Sequence, residues 1–169
     1  MGQDGDLNEE VRGMSYDLRA VIADEGALRL ATRGLSTARL ASIGQGLSLM
    51  PMTDALFETL TDDNGAGALG FRRLPGGFER TLADWSAHAP VAYVEAEYFG
   101  GVGEQRAAAW DGGTIAIAPL HVDEDQPFPP AGSPISRALR RLGAVASAGE
   151  DEFSAVGLHR HRRSEAWIA

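Results

Sequence analysis

Two carboxylates, Glu95 and Glu97, stand inside an otherwise apolar and aromatic run, residues 91–99, that closes on Gly100, Gly101, Val102 and Gly103. Side chains two apart on a β-strand share a face and lie roughly 7 Å apart from Cα to Cα. That spacing suits general acid–base work between paired carboxyls, or two hard oxygen ligands for Mg²⁺ or Ca²⁺. The same strand face carries Val91, Tyr93 and Phe99, so it reads as an aromatic surface bearing charge, the kind that contacts a ligand or a protein. The competing reading turns Ala92, Val94, Ala96 and Tyr98 to the core. It leaves the glutamates solvated, with Arg106 as counter-ion across a hairpin.

The neighbourhood of the pair supplies the remaining candidates. Gly101, Gly103 and Glu104 form a glycine-rich turn that lets a partner's backbone approach closely. It is not a dinucleotide fingerprint, because the glycines join two strands and Glu104 repels phosphate. The expected contact surface is therefore Tyr93, Glu95, Glu97 and Phe99 on the strand, with Gly101, Gly103, Glu104 and Arg106 beside it. His121, Asp123 and Asp125 place an imidazole and carboxylates in one stretch, but two or three such groups make a metal site only with remote ligands. No G-x-S-x-G elbow is present, so a Ser-His-Asp hydrolase has no support. The basic cluster His159, Arg160, His161, Arg162 and Arg163 is expected to pair with the acidic run Glu150, Asp151 and Glu152.

Composition narrows the chemistry further. All 15 basic residues are Arg, so Schiff-base and other lysine catalysis is excluded. The absence of Cys removes disulfides, thiolate catalysis and cysteine-ligated zinc or iron–sulfur clusters. A net charge of −9 disfavours a nucleic-acid backbone as ligand. No apolar run reaches the length of a membrane span and no secretory signal opens the chain, so a cytoplasmic protein is expected, without membrane attachment.

The elements that must position these residues follow from periodicity and turn chemistry. Residues 1–13 are polar and acidic and read as a flexible lead or an expression remnant, with 14–169 as a single domain. Strands are expected at 16–23 and 47–52, then as a meander at 91–99, 105–110 and 114–118, with Asp111, Gly112 and Gly113 turning the second hairpin. Thr53 caps one helix. Phe78, Leu82, Trp85 and Ala89 mark the inner stripe of another, and Ser133 with Pro134 opens a third. Residues 119–134 hold five prolines and are expected to form an extended loop. The fold class expected is α+β, a mostly antiparallel sheet of about five strands with helices packed on one face.

On this basis the chain is expected to be a non-catalytic binding module whose acidic face masks a basic protein partner, in the manner of toxin-neutralising immunity proteins. Two alternatives stand beside it. One is a small metal-assisted or acid–base enzyme built on Glu95 and Glu97 with His121 or Asp123. The other is a homodimer or other self-assembling module joined through strand edges or aromatic faces. No cofactor is expected.

Overall fold

The computed structural model describes residues 15–61, 67–100 and 102–168, so the expected N-terminal lead and Gly101 lie outside the described residues. Its centre is one antiparallel sheet of six strands, in the order β2-β3-β1-β4-β5-β6. The strands are β1 (Ser15–Asp24), β2 (Ala41–Ser42), β3 (Leu47–Pro51), β4 (Val91–Phe99), β5 (Val102–Asp111) and β6 (Thr114–Val122). Five short α-helices accompany them: α1 (Glu25–Ala31), α2 (Asp54–Leu60), α3 (Phe78–Trp85), α4 (Pro134–Arg141) and α5 (Glu152–Ala155). Among the described residues no helix is long and apolar enough to cross a membrane.

Local chemistry sets the helix starts where the sequence indicated. The Thr53 hydroxyl accepts the Leu56 amide at 3.2 Å, and the Ser133 hydroxyl accepts the Ser136 amide at 3.2 Å ahead of Pro134. Each satisfies one of the amides that a helix N-terminus leaves without a partner. Gly112 and Gly113 both adopt positive φ and turn β5 into β6.

The α+β class and the antiparallel sheet are as expected, but helices cover both faces, not one. Leu18, Ala20, Ile22, Ala92, Val94, Ala96, Ala107 and Ala109 pack beneath α4, α5 and the C-terminal tail. Val21, Ala23, Tyr93, Ala108 and Trp110 pack on the other side beneath Leu28, Leu56, Phe71, Phe78 and Leu82. A strand buried on both faces loses its polar alternation. This is why Val91 to Ala96 are buried without interruption.

Two further expectations are corrected. β6 continues through Pro119 to Val122, because the register shift between Ala107 and Ala109 on its partner absorbs the proline. The basic tail does not pair with the 150–152 run: Glu152 is held by Arg140 at 3.0 Å, while Arg160 reaches the Ser42 carbonyl at 3.0 Å and lies over Trp167.

The β4–β5 hairpin depends on one glycine. Gly103 lies opposite Tyr98, and a Cβ there would run into the Glu97 carbonyl oxygen and the Tyr98 Cα, backbone atoms that cannot yield without moving the strand. Gly103→Ala should therefore destabilise the fold by about 2–4 kcal/mol. A urea unfolding midpoint equal to that of the native chain would refute this.

Candidate functional site

β4 carries the two glutamates past the end of the apolar core, and they meet different fates. Glu95 is 5 % exposed. One of its carboxylate oxygens accepts the Arg72 backbone amide at 2.7 Å, and the other accepts the Arg73 amide at 2.8 Å and the Tyr93 hydroxyl at 2.9 Å. Phe71, next in the chain to these amides, stacks edge-on against the Tyr93 ring at 5.0 Å between centroids. Glu95 is thus a staple that fastens the 71–73 segment over the sheet. Burial, then the charge and hydrogen bond of Glu95, drive the Tyr93 hydroxyl well above its ordinary pKa, so it donates its proton and does not ionise.

This corrects three assignments. Tyr93 is fully buried and Glu95 nearly so, which removes both from any contact surface. The two glutamates also do not act as a pair, since both Glu95 oxygens are engaged by the fold. Arg106 stands opposite Glu95 in register, but its guanidinium turns to Glu104 at 2.7 Å.

Glu97 lies on the open side of the boundary. In register it faces Asp17 on β1 and Glu104 on β5, which sets three carboxylates side by side across neighbouring strands. Asp17 finds Arg19 at 3.6 Å, and Glu104 is gripped by Arg72 at 2.5 Å and Arg106 at 2.7 Å. Glu97 has no direct ion pair among the described residues. Burial first, with added repulsion from Glu97 and Glu165, raises the Asp17 carboxyl above its ordinary pKa despite Arg19.

Glu104 behaves oppositely. Burial, the largest single influence, pushes its carboxyl up, yet hydrogen bonds from Arg106, His121 and Arg72 together outweigh it and bring the pKa to about 2 from 4.5. A folded-state value below the unfolded one stabilises the native chain above about pH 4.5. That contribution is lost as pH falls toward 2. Glu104→Gln should therefore lower stability at neutral pH and flatten its acid dependence across that window, as followed by thermal unfolding. An unchanged acid profile would refute the assignment.

The carboxylate row floors a groove of about 750 Å³, walled by Ser15, Phe99, Val102, the 123–126 turn, Arg163 and Glu165. Seven carboxylate residues line it (Asp17, Glu97, Glu104, Asp123, Glu124, Asp125 and Glu165) against two arginines, Arg72 and Arg163. Phe99 is 60 % exposed and Val102 54 %, which places an apolar rim beside the acidic floor. His121, on the exposed flank of β6, lies 3.3 Å from Glu104 and 3.1 Å from Asp123; Asp125 lines the groove with Glu104 and Asp123 but is not part of this close trio.

The sequence pattern does not single out Asp17, Arg72 or Glu165, and it places Arg163 in a basic cluster without linking it to this groove. The alternation in β1 puts Asp17 and Arg19 on one face, but only the pairing of β1 with β4, strands more than sixty residues apart in sequence, brings Asp17 to Glu97. No family model, curated protein or solved structure matches this chain.

Proposed function

We propose that this chain is a non-catalytic protein-binding module whose groove receives a cationic, arginine- or lysine-rich segment of a partner. One observation carries the reading: Asp17, Glu97 and Glu104 occupy directly opposed positions on three adjacent strands, with Glu97 in the middle lacking an ion pair among the described residues. Like charges in directly opposed sheet positions destabilise the sheet. An arrangement that opposes folding is what a binding surface accepts, because a cationic ligand removes the repulsion when it arrives.

Three features support the same reading. The groove concentrates acidic residues and is far from neutral, which speeds encounter with a basic partner. Exposed Phe99 and Val102 give an apolar contact at its edge, where aliphatic stems of arginine or lysine would lie. The enzyme alternative built on paired carboxyls loses one of its two groups, because Glu95 is fully hydrogen-bonded inside the fold. Masking a basic protein surface is the role this geometry favours.

Calorimetric titration with an oligo-arginine peptide tests it. Saturable binding of one peptide per chain that weakens steeply as salt rises is expected. An absence of saturable binding at low salt would overturn the proposal.

A further inference from the structure

We propose that Glu104, His121 and Asp123 form a binding site for one first-row divalent cation of the zinc class. The proposal rests on where their donor atoms lie and is independent of the peptide-binding reading. His121 Nε2 sits 3.3 Å from Glu104 Oε2 and 3.1 Å from Asp123 Oδ1, and the three donor atoms all fall within 4.8 Å of one another. A tetrahedral zinc with nitrogen and oxygen ligands at about 2.1 Å has ligand-to-ligand edges of about 3.4 Å. Two edges of the triangle are already within a few tenths of an ångström of that value. The third edge is within 4.8 Å, and the Asp123 side chain on it is 57 % exposed and open to adjustment.

The surroundings explain both the orientation and the strength of the site. Arg72 and Arg106 both bind Glu104 through Oε1, at 2.5 and 2.7 Å, which turns Oε2 toward His121. Groups behind a ligating carboxylate commonly orient it in this way. The two guanidiniums also compete with a cation for the charge of Glu104, which weakens its hold as a ligand. An imidazole donor selects zinc, copper or nickel over magnesium and calcium, which favour all-oxygen sets. The carboxylates of Glu97, Glu124 and Asp125 line the same groove and favour a cation there.

The first strand of evidence is titration of the full chain with ZnCl₂, and with MgCl₂ as the contrasting probe. One equivalent of zinc should bind, with no saturable magnesium binding in the same range. His121→Ala should weaken zinc binding about 100-fold, and Asp123→Asn at least tenfold. His88→Ala and the double change His159→Ala with His161→Ala, which alter the chain's other three histidines, should leave it unchanged. Should His121→Ala perturb the fold, ¹⁵N chemical shifts of the imidazoles in the native chain provide a second readout. His121 Nε2 should move on adding zinc while His88 stays in place. Zinc binding that survives His121→Ala in a folded chain, or that moves His159 and His161 and not His121, would overturn the proposal, as would the absence of saturable binding.

Discussion

Replacing Glu95 with Ala should destabilise the protein by about 3–5 kcal/mol and lower its melting temperature by roughly 10 °C. The change removes the acceptor of two backbone amides and one buried hydroxyl at once, and each buried donor left without a partner costs about 1–3 kcal/mol. Some of that loss returns as water enters the space, which keeps the sum near the lower end. Glu95→Gln should cost less, about 2 kcal/mol, since the amide keeps one acceptor oxygen but turns its NH₂ toward a donor. Tyr93→Phe isolates the hydroxyl and should cost about 1 kcal/mol. Thermal and urea unfolding measure all three. If Glu95 were held for acid–base work instead, its removal would leave stability unchanged or raise it.

The second large effect has the opposite sign for stability. Changing Glu97 and Asp125 to Lys should weaken oligo-arginine binding about 100-fold, because both charges reverse in the groove lining and a cationic ligand then meets repulsion. The same change should leave stability unchanged or slightly improved, since Lys at position 97 faces Asp17 and Glu104 across the neighbouring strands. Loss of binding with retained or increased stability separates a binding role from a structural one. A control with Glu58→Lys and Asp84→Lys, on α2 and α3 and outside the groove lining, keeps the total charge change equal and should alter affinity only slightly.

Much of the scaffold was legible because it is written in local chemistry. Thr53, Ser133 and Pro134 mark helix starts by what their side chains can and cannot donate, and Gly112 and Gly113 mark a turn by the φ values it requires. Strand β4 was legible from its aromatic and β-branched content, and the shared face of Glu95 and Glu97 from the two-residue period alone. Strand β2 was not, since Ala41 and Ser42 are too few to show any period. The second helical layer was also hidden. Strands covered on both faces lose their alternation, and the helix around Phe78 and Leu82 does not announce which side of the sheet it will take.

The site was harder to read because its two halves are assembled from distant segments. Nothing local to Glu95 indicates that the amides of Arg72 and Arg73, more than twenty residues earlier, will fold over it. The distinction between a buried staple and an exposed contact residue, two positions apart on one strand face, depends on where the covering loop ends. His121 and Asp123 were recognisable as close in sequence, but Glu104, which stands near both, lies on the neighbouring strand and is supplied by the β5–β6 register. Asp125, two residues on and similar in chemistry, lines the same groove but is not among the three groups within 4.8 Å of one another.

The division between Glu95 as part of the fold and the Asp17, Glu97 and Glu104 row as a working surface can be observed directly. Carboxyl ¹³C shifts of the native chain, followed by NMR while an oligo-arginine peptide is added, report on each side chain separately. Glu97, Asp123 and Asp125 are expected to shift progressively and saturate together while Glu95 does not move. Movement of Glu95 with a silent Glu97 would contradict this division.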